Sequence, residues 1–433
     1  MLVNRLILFC LLAGVCCTGQ EPTHPILWRN WSAHFQATSI GQQHGSFPSL
    51  YEGDNSLPPH SEFRASVTAT AFVSLRLNPH CEFVVNPEIA GGRGFGGVTG
   101  IAGFTNGEIP RVAAATPTLY LARGYVRFSI PLGNRMVETA APAAPVPATE
   151  LTLITGKFAL TDFFDNNKYS HDPRSQFMNW SLMSNGAWDY PADTRGYTVG
   201  AFQEFRTGAW SVRTAAVMEP TTANGGTLDT RVGVNRGVVL ESERRYAFAG
   251  HGGAARVLVF ENLERAGTFR KAMRGAGQLP DLDSTRRNGT KKYGGGLNVE
   301  QEVADGIGVF ARYGWSDGKT ETWAFTEIDR SLSGGVSING RRWRRKLDTI
   351  GVGAVRNFLS GDHRSFLAAG GLGFIIGDGR LNYRPEQIIE AYYALHVSRS
   401  WTVTGDFQRV ANPAYNRDRG PVSVATVRLH WEM

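Results

Sequence analysis

Val422–Met433 reads VSVATVRLHWEM, and its alternation decides the fold class. Val427, Leu429, Trp431 and Met433 fall on one face, with Arg428, His430 and Glu432 between them. A period of two is the signature of a β-strand with one apolar and one polar side. The same pattern runs back through the chain. In Ser66–Leu77 (SVTATAFVSLRL), Val67, Ala69, Ala71, Val73, Leu75 and Leu77 oppose Thr68, Thr70, Ser74 and Arg76. Cys81–Ile89 sets Phe83, Val85 and Ile89 against Glu82, Asn86 and Glu88. Leu119–Ile130 sets Ala122, Val126, Phe128 and Ile130 against Arg123, Tyr125, Arg127 and Ser129. Tyr293–Val303, Ile307–Trp315, Gln387–Val397 and Trp401–Gln408 repeat the alternation. Asp317-Gly318, Gly361-Asp362 and Gly377-Asp378-Gly379 supply turn signals between such runs.

A soluble sandwich would share this pattern, but the polar faces carry charges of both signs deep within strands. A closed transmembrane barrel accounts for them, with apolar residues toward lipid, polar residues toward the lumen and no open edge. Trp28, Trp31, Tyr313, Trp315, Tyr392, Tyr393, Trp401 and Trp431 stand near strand ends, as interfacial girdles require. The expected fold is therefore all-β: one antiparallel transmembrane barrel of about 16 to 18 strands. Such a barrel uses about 160–180 residues in its wall and leaves about half of the chain for turns and long loops.

Residues 1–19 carry the pattern of a cleaved export signal, with Arg5, an apolar Leu6–Val15 and small residues before Gln20. Residues 20–433 then form the barrel domain. Cys10, Cys16 and Cys17 leave with the signal, so Cys81 has no internal disulfide partner. No later segment offers the roughly 18 apolar residues of a membrane-spanning helix. The charge is +7, yet only seven of the 45 basic residues are Lys, and the arginines are dispersed except at Arg341, Arg342, Arg344 and Arg345. Nucleic-acid binding calls for a clustered basic face, so no such partner is expected.

Two stretches break the period. Thr161–Gly196 is a long polar and aromatic insertion, expected to fold inward and narrow the lumen; Asp172, Arg174, Trp180 and Trp188 are its candidate constriction residues. Glu261–Asn288 carries a short helical spacing of Leu263, Ala266 and Arg270. Met136–Thr149, rich in Ala and Pro, reads as a turn or exposed loop.

Three motifs lose their chemistry in context. Gly92–Gly97 (GRGFGG) matches a dinucleotide fingerprint, but the glycines that follow deny it a helix. Gly314–Gly318 (GWSDG) matches a hydrolase nucleophile elbow, yet Lys319–Glu327 alternates like a strand and makes Ser316-Asp317-Gly318 a hairpin turn. His171-Asp172 and the other histidines have no metal-ligand spacing. No catalytic residue, metal or cofactor is expected. The inward charges point instead to a polar constriction, with Arg76, Arg123, Arg127, Arg312 and Arg428 against Glu88, Glu300, Glu302, Glu390 and Asp406. Opposed rings of this kind build a transverse field, as in selective pores. From strand parity, Arg76, Glu88, Arg123, Arg127, Glu390 and Gln408 are the candidates for substrate contact.

The chain resembles the carbohydrate-selective porins of the OprB type. The resemblance rests on Tyr51–Pro58 (YEGDNSLP), Asn86–Ala90 (NPEIA), Gly103–Glu108 (GFTNGE), Gly156–Asp165 (GKFALTDFFD), His171–Ser184 (HDPRSQFMNWSLMS) and Asn412–Val422 (NPAYNRDRGPV). It implies a 16-stranded barrel in the bacterial outer membrane, in contact with its lipid, passing small carbohydrates without catalysis or energy coupling. A homo-oligomer is compatible with it. The alternative is a channel for acidic oligosaccharides or polysaccharides such as uronates, which the arginine excess would suit. The family usually ends in an aromatic residue; this sequence ends Trp431-Glu432-Met433, which leaves Trp431 for recognition during insertion.

Overall fold

A computed structural model describes residues 30–109, 114–137, 146–274 and 279–433. The expected export signal lies outside the described residues, as do Trp28 and most of the Ala/Pro-rich turn. Sixteen antiparallel strands form one closed barrel. They are β1 (Trp31–His44), β2 (Glu62–Asn78), β3 (Cys81–Gly92), β4 (Thr118–Pro131), β5 (Thr149–Phe158), β6 (Thr198–Thr207), β7 (Trp210–Val217) and β8 (Arg236–Phe248). The second half comprises β9 (His251–Ala266), β10 (Arg287–Ala304), β11 (Ile307–Ser316), β12 (Arg330–Asn339), β13 (Thr349–Phe358), β14 (Glu386–His396), β15 (Trp401–Ala411) and β16 (Val422–Glu432). Each strand pairs with its sequence neighbours, and β1 closes on β16 from Gln36↔Glu432 to His44↔Val424. Closure removes every edge from the ladder, which a bilayer demands of strands.

The outward face is apolar. Ile389, Val427, Leu332 and Leu429 all point away from the lumen and stay exposed, because hydrocarbon takes the place of water there. Trp31, Tyr313 and Trp401 are exposed near strand ends, as expected of a girdle. Tyr392 is a correction: it points inward and is buried against Phe177, because β14 sends its even-numbered residues to the lumen. Parity also changes within β4. The β3–β4 register skips Ala122 opposite Asn86/Pro87, a bulge that also tolerates a proline lacking a donor. Ala122 therefore turns inward onto Ala159 and Tyr197, while Leu119 and Leu121 join Phe128 and Ile130 on the lipid face.

Connections alternate in length around the rim. At one end, two-residue turns join β2 to β3, β6 to β7, β8 to β9 and β10 to β11. Ala249-Gly250 has positive φ at both positions (50° and 84°), the geometry of a tight hairpin. At the other end lie long loops, designated L1 (residues 45–61), L2 (93–117), L3 (159–197), L4 (218–235), L5 (267–286), L6 (317–329), L7 (359–385) and L8 (412–421). Two expectations fail here. Glu261–Ala266 is the end of β9 and not a helix; the helical turns come later, at Phe269–Ala272 and Asp283–Thr285. Lys319–Glu327 is a loop and not a strand, buried from Thr320 onward, so β11 does not continue into a tight hairpin at Ser316.

L3 folds into the barrel, as its composition predicts. It begins with the turn Leu160–Asp162, carries the short helix Trp180–Met183 capped by Asn179, and is buried continuously from Phe177 to Asp193. Its Phe164, Trp180, Met183, Trp188 and Tyr190 pack on inward residues of the wall, among them Ile154, Phe202, Val239, Leu258 and Phe260. The lumen thus contains an apolar core, which the alternating pattern alone did not announce. Glycines make room for it: a side chain at Gly308 would collide with the ring of Tyr169, and one at Gly314 with Asn185.

Candidate constriction site

The wall holds L3 by its backbone as well as by apolar contact. Glu390 accepts from Met178 N at 2.5 Å and Asn179 N at 2.9 Å. Gln408 donates to Thr105 O at 2.8 Å and accepts from Asn179 Nδ2 at 3.1 Å. Arg312 donates to Leu182 O, Ser170 O and Asp165 O, and Arg428 to Pro173 O and Gln176 O. Glu241 accepts from Asp165 N at 2.8 Å and Glu300 from Lys168 N at 2.7 Å. A buried ion is tolerated when hydrogen bonds satisfy it, and peptide groups of L3 supply many of them.

Arg174 of L3 clamps the loop through its side chain. Its Nη2 lies 2.8 Å from Glu88 and its Nε 2.8 Å from Glu108 of L2, all three being buried. Glu88 also accepts from the hydroxyls of Tyr120 and Tyr197. Gly103–Glu108 is buried throughout, wedged between wall and L3. Trp180 sits between Phe104 and Phe325, each 5.0 Å away by ring centroid, and Trp188 packs on Phe164 and Tyr190.

The predicted site residues therefore separate into two groups. Glu88, Glu390 and Gln408 point inward as parity requires, but each is 0% exposed beneath L3. Arg174, Trp180 and Trp188 are buried as well, so all six lie within the packing of L3 against the wall. Arg123 and Arg127 remain partly exposed. Arg123 makes a two-pronged pair with Asp162 at 2.7 and 2.5 Å and donates to Asn86 Oδ1 at 2.7 Å. Arg127 lies 3.3 Å from Glu82. Asp172 is half-buried, accepting from Arg174 N and Ser175 Oγ. Arg76 is exposed at the end of β2, away from L3.

Parity missed the larger arrangement to which Arg123 and Arg127 belong. Inward charges continue strand by strand from β3 to β10. Glu150 pairs with Arg206 at 3.2 Å. Arg213 meets Glu204, Glu241 and Glu243 at 2.8 to 3.1 Å. Glu243 is shared with Arg245 and Arg256, Arg256 reaches Glu300 at 3.1 Å, and Lys168 of L3 lies 3.6 Å from Glu302. The two signs interleave along this half of the wall, while the inward charges of the other half, Arg312, Glu390, Asp406 and Arg428, are buried. Inward positions of the other half include neutral Ser333, Ser337, Thr402, Thr404 and Thr426. Beside the charged arc, Phe163 of L3 stacks on Phe202 at 4.3 Å and 25°.

The family model of the carbohydrate-selective porins, OprB family, matches residues 74–433. The chain belongs to this family. Its fold agrees with that of OprB-family and other outer-membrane porins. Against the high-pH structure of Pseudomonas putida OprB the TM-score is 0.68 at 17% identity, covering 93% of this chain and 94% of that one. The outer-membrane channel DcaP of Acinetobacter baumannii aligns at TM-score 0.50 and 10% identity, over 95% and 100% of the two chains. OmpF of Salmonella typhi, solved with daunomycin, aligns at 0.51 and 9% identity over the same shares. No curated protein sequence matches. As an OprB-family porin, this barrel is a sugar channel of the bacterial outer membrane; long loops in such barrels face the exterior and short turns the periplasm.

Proposed function

We propose that small neutral sugars diffuse through this porin along the charged arc of β3–β10 and are selected where L3 narrows it. The arc carries this reading: partly exposed Arg123, Arg127 and Arg206, with exposed Lys168, stand beside Asp162, Glu82, Glu150 and Glu302. A sugar hydroxyl both donates and accepts, so adjacent guanidinium and carboxylate groups can replace two of its water bonds at once. Phe163, stacked on Phe202, offers an apolar face next to those charges. Binding stays weak because the ions already satisfy one another, and a pore must release what it binds. Within this reading Arg123 and Arg127 contact the sugar. Glu88, Glu390, Gln408, Arg174, Trp180 and Trp188 set the width of the passage by fixing L3, with Asp172 bracing its turn. Arg76 lies at the rim outside the selective zone.

Single-channel currents with sugar added test this reading. Millimolar glucose or maltose should interrupt the current of the wild-type porin, and Arg123→Ala with Arg127→Ala should raise conductance and weaken that block. Unchanged conductance and block in the double variant would refute the assignment. Block by a uronic acid alone would favour the acidic-saccharide channel.

A further inference from the structure

The arginines that the sequence does cluster take no part in the lumen. They lie in the turn between β12 and β13, residues 340–348, whose sequence is Gly340-Arg341-Arg342-Trp343-Arg344-Arg345-Lys346-Leu347-Asp348. This is the short-turn rim, yet the turn is longer than its neighbours of two and four residues and is held in one shape. Asn339 caps the turn Gly340–Trp343 by accepting from Arg341 N, and its Nδ2 donates to Lys346 O at 2.8 Å. Gly340 N donates to Asp348 O at 2.8 Å and Arg345 N to Gly340 O at 2.9 Å.

One cation is used internally. Arg345 pairs with buried Asp348 at 2.5 Å, and Asp348 also accepts from the Tyr393 hydroxyl and from His396 N. The heads of Arg341, Arg342, Arg344 and Lys346 are exposed and have no ion-pair partner among the described residues. Arg399, on the adjoining turn, is exposed too; the acidic neighbour on the other side is Asp305.

The aromatic residue of the turn shows which side of the wall it covers. Trp343 Nε1 donates to Tyr393 Oη at 3.1 Å, their rings 6.3 Å apart. Tyr393 stands on the outward face of β14, in phase with lipid-facing Ile389. The turn thus leans onto the lipid side of the rim, with Leu347 exposed beside it. Tryptophan and tyrosine with polar tips favour the boundary between hydrocarbon and headgroups.

We propose that residues 341–346 bind the phosphate groups of anionic phospholipids in the periplasmic leaflet. Arginine suits this ligand, since its planar fork can hold two phosphate oxygens together. The Trp343–Tyr393 pair places the fork at headgroup height, and Leu347 meets the upper acyl carbons. A soluble acidic protein would need the four cations but gains nothing from an anchor turned toward lipid.

Native mass spectrometry of the full-length refolded porin, with phosphatidylglycerol or phosphatidylcholine titrated into the detergent, tests the site. The wild-type porin should retain phosphatidylglycerol at least tenfold better than phosphatidylcholine. Arg341→Ser, Arg342→Ser, Arg344→Ser and Lys346→Ser combined should abolish the preference, given roughly fivefold attraction per cation near a surface. The wholly conservative set Arg341→Lys, Arg342→Lys and Arg344→Lys should keep most of it. Raising salt from 50 to 500 mM should suppress the preference of the wild-type porin, a readout that needs no variant. Equal retention of both lipids, an unaffected serine variant or indifference to salt would overturn the proposal. So would displacement of phosphatidylglycerol by equimolar inorganic phosphate or soluble polyglutamate, which would assign the turn to a free anion or an acidic protein.

Discussion

Glu390 illustrates how a single inward residue can be committed to holding a loop. Both carboxylate oxygens are occupied by peptide N–H groups of L3, at Met178 and Asn179. Glu390→Ala would strand two buried donors, each worth about 1–3 kcal/mol when left unpaired. We expect a porin that still assembles, unfolds at lower temperature and shows noisier, larger currents because L3 is loosened. Gel mobility after graded heating and single-channel recording check the two parts. Arg127 belongs to the opposite class: it is partly exposed, and its ion-pair partner among the described residues is Glu82. Arg127→Ala should leave heat stability within about 1 kcal/mol, as for other solvent-reached ion pairs, while conductance and sugar block change. If both substitutions had the same signature, the division between anchors and contacts would be wrong.

L3 and its neighbouring loops act as one packed element. Glu219 of L4 is buried, with Oε1 lacking a hydrogen-bond partner. Burial, reinforced by the Glu264 and Asp189 carboxylates, pushes its pKa well above the usual carboxylate range. A group raised on folding contributes its stability fully below its unfolded value, near pH 4, and loses it as pH rises through the folded value. Glu219→Gln should therefore slow hydrogen exchange across residues 218–235 at pH 8 and change little at pH 4. An equal effect at both values would contradict the burial argument.

Element by element, strand positions were legible because lipid enforces the period of two on the outward face. Val427 and Leu429 could be assigned to lipid, and Arg428 to the interior, from alternation alone. The interior was less legible. Once L3 enters the lumen, wall positions such as Phe202, Leu258 and Phe260 can be apolar on both faces, which erases alternation. The bulge at Asn86/Pro87 shifts parity within β4; Pro87 is the sequence signal that marks it. Parity brought Glu88 and Glu390 to the inside correctly, but it could not show that L3 packs over them. The charged arc was missed because Glu150, Glu204, Arg206 and Arg213 lie on strands whose alternation is weak, and Lys168 reaches it from a loop.

At the scale of the whole molecule, one architecture divides the ions by role. Buried ions fasten L3 and L2 to the wall, partly exposed ions run along the inner wall from β3 to β10, and a cationic turn marks the periplasmic rim. Replacing Arg312 with Ala should affect the molecule more broadly than a lining substitution, since its guanidinium holds three L3 carbonyls. We expect a loss of about 3–5 kcal/mol from leaving Asp165 a buried carboxylate without its cation, read as a lower heat-unfolding temperature.

Planar-bilayer conductance of the refolded full-length porin, with glucose, maltose and a uronic acid titrated in separately, tests the central claim most directly. The account predicts stepwise openings that neutral sugars block at millimolar concentration. A folded barrel that opens no channel, or one whose current neutral sugars leave untouched, would contradict it.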